Sequence, residues 1–270
     1  MSSPTAHSDA QHQAMLRINP ARLVQRCVRP SGGRSFSSES RDWFGIDAEY
    51  ISKRGLGIAK RVLNGMPEFV SYSRRKPRVF VSGSSDEARS SMYVLSQFPM
   101  ETSVDLPQFV QGAERAAHTV LQRLYTQDSE ATKAFLEQLA TPESLKALMH
   151  KPSAPVEGES KKWRSVLEQL SVNTAALEAV EYTRERVEED VTSEWLTLRV
   201  QYDVTEHLLI SPENGEGIED RRAINTRFAW TFEADVTKPD ELEWGIVAAT
   251  PFEEKPAVIT ANEAQKEEEE

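Results

Sequence analysis

The spacing of apolar side chains changes along this chain. From Asp105 onward, Phe109, Ala113, Ala116, Val120 and Leu124 recur every three or four residues, which puts them on one face of a helix that Pro107 opens in its first turn. Phe135, Leu136 and Leu139 predict a second, shorter helix. Thr141-Pro142-Glu143 has the form of an N-cap, a first-turn proline and a first-turn acid, and Leu145 and Leu148 carry a third helix on from it. Pro152 to Ser160 reads as a loop. Trp163, Val166, Leu167 and Leu170 again have helical spacing and predict a fourth helix.

After about Ala175 the period becomes two. Leu196, Leu198, Val200, Tyr202 and Val204 share one face of an extended segment, with Thr197, Arg199, Gln201 and Asp203 on the other. A turn region follows from Ser211 to Asp220, containing Pro212, Asn214 and Gly215. The next strand puts Thr226, Phe228, Trp230, Phe232 and Ala234 on one face, and Lys238-Pro239-Asp240 ends it. A last strand carries Trp244, Ile246 and Ala248, and the ambiguous stretch from Val172 to Glu188 is expected to hold a leading strand. Helices followed by a strand meander predict an α+β fold, with the helices on one face of a curved antiparallel sheet and Trp195, Trp230, Phe232 and Trp244 in or beside the core.

Upstream of Asp105 the pattern is weaker. Asp42 to Asn64 predicts a helix, with Ile51, Ile58, Val62 and Leu63 among its apolar positions, although Gly55 and Gly57 weaken it. Ser82 to Ser91 is polar and is expected to be a connector. Charge sharpens this division. The net charge of −11 conceals +8 over residues 1–82 and −19 over residues 83–270. Lys53, Arg54, Lys60, Arg61, Arg74, Arg75, Lys76 and Arg78 are the basic residues of 50–82, against the single acid Glu68. They are candidates for contact with an anionic lipid surface or an acidic partner. The acidic remainder argues against DNA as a partner, because a nucleic-acid footprint needs clustered positive charge.

The first 38 residues have a distinct composition. No acid lies between Asp9 and Glu39, whereas Arg17, Arg22, Arg26, Arg29 and Arg34 alternate with Leu16, Ile18, Leu23, Val24 and Val28, and serines follow. Such a segment is expected to be a mitochondrial presequence. Arg34-Ser35-Phe36-Ser37 has the form of an arginine-guided cleavage region, and Met15 is an alternative start. The expected organisation is a presequence over 1–36, a basic and partly helical linker over 37–104, an α+β domain over 105–255 and an acidic tail over 256–270. No apolar run approaches the roughly 20 residues that a membrane-spanning helix needs.

The same residues offer little candidate chemistry. Cys27 is the only cysteine, so no intrachain disulfide or cysteine-based zinc framework is expected. His7, His12, His118, His150 and His207 lack metal-ligand spacing, and the short glycine pairs at 55–57 and 215–217 lack the context of a phosphate loop. Asp203, Glu233 and His207 are the residues that could line a catalytic pocket, but the alternation puts Asp203 and Glu233 opposite the large apolar side chains. No cofactor, metal or enzymatic activity is expected.

Phe109-Val110-Gln111-Gly112-Ala113 with Ala116, Phe135-Leu136-Glu137-Gln138-Leu139-Ala140 with Leu145, the extended run Leu196 to Val204, Trp230-Thr231-Phe232-Glu233 and Glu243-Trp244-Gly245-Ile246 together resemble a known family. This is the family related to the peripheral matrix subunit of the mitochondrial inner-membrane import translocase, and within it the m-AAA protease-interacting proteins. The likeness covers approximately residues 105–252 and lies in apolar and small residues rather than in catalytic signatures. It implies a nuclear transport factor 2-like cone and a place on the matrix face of the inner membrane. It also implies a chaperone-like adaptor role toward inner-membrane proteins, an AAA protease complex or nascent membrane precursors. The same family includes the membrane anchor of the large mitochondrial ribosomal subunit, so a structural subunit of the ribosome is the alternative. The acidic loop Ser211 to Asp220 and the polyglutamate tail depart from the family pattern and leave the partner open.

Overall fold

In the computed structural model, residues 48–74, 78–99, 101–125, 129–150, 163–186, 192–212 and 220–256 are described. Five helices precede the strands: α1 (Ala48–Arg74), α2 (Asp86–Ser96), α3 (Leu106–Leu124), α4 (Ser129–Leu139) and α5 (Pro142–Met149). The strands β1 (Trp163–Arg186), β2 (Thr192–Pro212), β3 (Asp220–Asp235) and β4 (Gly245–Ala249) form an antiparallel meander in chain order, and β5 (Glu253–Pro256) pairs with β3 beyond β4. The helices are followed by a curved antiparallel sheet, so the α+β expectation holds.

The alternation of β2 and β3 becomes burial directly. Leu196, Leu198, Val200, Tyr202 and Val204 are buried on the face toward the helices, and so are Thr226, Phe228, Trp230, Phe232 and Ala234. Phe109 of α3 packs on Phe232 and Trp244, with ring centroids 5.5 and 4.6 Å apart. Ala113 and Ala117 are fully buried, and their small side chains bring α3 close enough for the Tyr202 hydroxyl to donate to the Ala113 carbonyl at 3.2 Å. Thr141 caps α5 by accepting from Ser144, as the sequence predicts, and Asp105 caps α3 by accepting from the Gln108 amide. Thr141 also donates its backbone amide to Ile246, which ties α5 to β4.

The predicted fourth helix is wrong: Trp163 to Leu170 begin the long strand β1. Its register slips at Leu167/Gln169, Val172/Thr174 and Leu177/Ala179. Each bulge inserts one residue, so the side chains facing the core, Leu167, Leu170, Val172, Ala175, Leu177, Val180 and Tyr182, are spaced three and two residues apart in turn. Over a short window that rhythm imitates a helix. The leading strand expected within 172–188 is the second half of β1. β5 was not foreseen.

The packed structure also begins before Asp105. Phe69, Val79, Phe80, Met92, Tyr93 and Val104 belong to the same core cluster as the sheet. The backbone at Val79–Val81 pairs with the outer edge of β1 at Leu177. The stretch expected to be a polar connector is helix from Asp86, with Ser85 as its N-cap. Asp86, Glu87 and Ser90 are exposed, and Met92, Tyr93 and Ser96 are buried. The helix expected to end at Asn64 runs on to Arg74 because Phe69 and Tyr72 keep it on the core. At Gly65 an added Cβ would collide with the Tyr93 hydroxyl, which donates to the Val62 carbonyl at 2.9 Å.

Candidate functional site

α1 has two faces with different uses. On the inner face, Tyr50, Ile58 and Phe69 are buried. On the outer face, Leu56 is 89% exposed, Leu63 69% and Val70 43%. These three are seven residues apart, so at about 100° per residue they form one stripe along the helix. Four of the six large hydrophobic side chains that are exposed among the described residues belong to α1. Lys53, Lys60 and Arg74 are exposed beside the stripe. An apolar stripe rimmed by charge is a candidate docking surface.

The eight basic candidates therefore do not act as one set. Arg54 turns inward and donates to the nearly buried Glu194 carboxylate at 3.2 Å. It also lies 5.8 Å from the centre of the Tyr50 ring, while Arg184 covers the same ring at 4.7 Å. The Tyr50 hydroxyl shares a hydrogen bond of 3.2 Å with Tyr182 and donates to the Phe98 carbonyl. Burial, first of all, raises both tyrosines above the ordinary value of 10.0. Arg61 donates to the carbonyls of Gln97 and Pro99. Arg54 and Arg61 thus fasten α1 to the body. Arg78 bonds to Ser82. Arg75 and Lys76 lie outside the described residues, as do Arg34, Ser35, Phe36 and Ser37.

Two buried acids escaped the sequence reading. Glu194 and Glu206 occupy even-numbered positions of β2, on the same face as Leu196 to Val204. An acid on an apolar face is itself the readable signal. Glu206 is fully buried and accepts a hydrogen bond from the Tyr125 hydroxyl at the end of α3. Burial, and then the Glu206 charge, push the Tyr125 phenol well above its ordinary range. Leu208, Ile210 and Ile224 form a small apolar cluster at this end, with Leu167 and Tyr125 against it.

Asp203, His207 and Glu233 lie on the opposite face of the sheet. Asp203 accepts from Asn173 and Arg227, and Thr197 donates to Glu233. A groove between α3, Val79–Ser82 and the bulged part of β1 is lined by Arg78, Asp105, Glu114, Asp203 and Arg227. Its charges are largely engaged: Arg227 with Asp203, Asp105 in the α3 cap, and Arg78 with Ser82. His118, His150 and His207 lie on three different parts of the chain. Among the described residues, no group of three or more histidine, cysteine or acidic side chains could hold a metal ion. No described helix is long and apolar enough to cross a membrane.

No family model matches the sequence, and no curated protein matches it.

Proposed function

We propose that this protein is an adaptor or chaperone-like binding module, working on the matrix side of the mitochondrial inner membrane and transforming no substrate. The observation that carries the reading is the outer face of α1, where Leu56 and Leu63 stand in solvent beside basic side chains. Exposed leucine on a helix that is otherwise well anchored has no role in the fold, and docking gives it one. The interior adds to the case. Tyr202, Phe228, Trp230 and Phe232 pack on one another with ring centroids 4.8–6.4 Å apart, so aromatic side chains occupy the helix-facing surface of the sheet where a substrate would need room. The basic stretch between Asp9 and Glu39, which contains no acid, supports the organelle. The inner-membrane setting, the nuclear transport factor 2-like cone and a role in m-AAA protease assembly or precursor handling follow from the family resemblance.

Basic residues near an anionic bilayer contribute about 1 kcal/mol each, and salt screens this. The chain should therefore float with cardiolipin liposomes at low ionic strength, and equal binding to neutral liposomes would remove the electrostatic part. Affinity purification of the full chain from isolated mitochondria in mild detergent tests the adaptor role. Recovery of an inner-membrane protein is the expected result. Co-migration with ribosomes through high salt would replace the adaptor by a ribosomal subunit.

A further inference from the structure

We infer that the outer face of α1 is one half of a two-helix seam, and that its partner is a protein helix with an apolar stripe and an acidic flank. This deepens the adaptor reading and rests on it for the existence of a protein partner, but the chemistry of that partner is read from α1 alone.

Ser52, Leu56, Ala59, Leu63, Met66, Val70 and Ser73 follow one another at steps of four and three residues. That is the spacing of knobs-into-holes packing, with Leu56, Leu63 and Val70 at one core position and, at the other, small Ser52, Ala59 and Ser73 with Met66, which packs partly on the protein's own core. The seam covers 52–73, about 33 Å at roughly 1.5 Å per residue. A lipid surface requires an apolar face but no such repeat. Small Ser52, Ala59 and Ser73 would let a second helix approach closely.

The flanks identify the partner. On one side the residues next to the seam are Lys53, Lys60, Pro67 and Arg74, three of them cationic and exposed. On the other side are Gly55, Val62 and Phe69, and the last two pack into the protein's own core. The first flank is exposed at Lys60, Pro67 and Arg74, and the charge offered to a partner is that of Lys60 and Arg74. An antiparallel second copy would set one cationic row against the other. A parallel copy would need the flank that Phe69 buries. Self-pairing is disfavoured both ways, whereas a helix with glutamate or aspartate along its edge is complementary.

The probe is a synthetic 28-residue helical peptide with leucine at both seam positions and glutamate on both flanks. Its lysine-flanked counterpart and phosphatidylcholine–cardiolipin vesicles serve as the other arms, all titrated against the full chain. The glutamate peptide should bind saturably, at least about tenfold more tightly than the lysine peptide, and weaken with salt. Leu56→Asp with Leu63→Asp should reduce its affinity about tenfold or more. Lys60→Glu with Arg74→Glu should reverse the preference between the peptides. All four substitutions are at exposed positions, and unchanged circular dichroism and urea transitions verify the fold. Equal binding of the two peptides, or indifference to both double variants, overturns the inference. So does vesicle binding that needs Leu56 and Leu63 when neither peptide binds, because the face would then serve lipid. If the full chain captured no mitochondrial protein but preferred the glutamate peptide in this way, the adaptor reading would fail and the seam would stand. Stable capture undiminished by Leu56→Asp with Leu63→Asp would have the reverse meaning.

Discussion

Trp230 offers a sharp test of the core, because two opposing effects meet at one side chain. It is fully buried, with Tyr202, Phe228 and Phe232 around it at centroid distances of 5.2, 5.0 and 6.4 Å. Its indole Nε1 is also buried and has no hydrogen-bond partner among the described residues. Trp230→Phe removes roughly 40 Å³, which at ~24 cal/mol per Å³ of cavity costs about 1 kcal/mol, with about 1 kcal/mol more for lost apolar contact. The same change deletes a buried donor whose unmet desolvation costs about 1–3 kcal/mol. The two effects nearly cancel, so Trp230→Phe should lie within about 1 kcal/mol of the parent chain. Trp230→Ala opens a far larger void and should cost about 3–5 kcal/mol. Equilibrium urea unfolding followed by circular dichroism reads both, and a shift of midpoint at constant slope reports stability alone. A loss of about 3 kcal/mol or more for Trp230→Phe, close to the alanine value, would show that the indole N–H is bonded and the reasoning wrong.

Tyr50, Tyr72, Tyr93, Tyr125, Tyr182 and Tyr202 are all raised above the ordinary phenol value of 10.0, in each case chiefly by burial. A raised folded value means that the unfolded chain loses its phenol protons first, so stability is intact below pH 10 and falls as pH climbs beyond it, by up to about 1.4 kcal/mol per unit for each tyrosine. Absorbance near 295 nm should therefore rise only together with loss of circular dichroism, and smooth titration near pH 10 in a folded chain would contradict this. Asp105→Ala should cost about 1 kcal/mol in urea unfolding through loss of the α3 cap, and Asp105→Asn much less. Gly65→Ala gains about 1 kcal/mol of helix propensity but displaces the Tyr93 hydroxyl from Val62, so a net loss of about 1–2 kcal/mol is expected, recoverable in part by Tyr93→Phe. A stabilised Gly65→Ala chain would show that α1 does not press on Tyr93.

The parts of the fold that the sequence made legible are those where one rule acts alone. β2 and β3 pair without a register slip, so period two maps onto burial along β2 and from Ile224 along β3, except at Ala229, which is buried between Phe228 and Trp230. Asp105 and Thr141 stand where a helix must begin and have little other use. β1 was misread because three bulges each shift the face by one residue, and a periodicity test assumes that no residue is skipped. α2 was missed because its first two turns are polar and its core-side residues, Met92, Tyr93 and Ser96 with Val94 and Leu95 beside them, are crowded at its C-terminal end. At the candidate site, composition found the basic stretch but could not divide it. Lys53 and Arg54 are neighbours in sequence yet about 100° apart on the helix. Lys53 is on the exposed side and Arg54 holds Glu194. The outward leucine stripe was hidden for the same reason, since Leu63 was counted among the apolar positions without knowledge of which face the body would take.

The most direct test of the docking account is a side-by-side purification from isolated mitochondria in mild detergent, using the full chain and the same chain carrying Leu56→Asp and Leu63→Asp. The parent chain should recover an inner-membrane protein in near-stoichiometric amount and the variant at least about tenfold less. Equal recovery by both chains would show that the outer face of α1 is not where the partner sits.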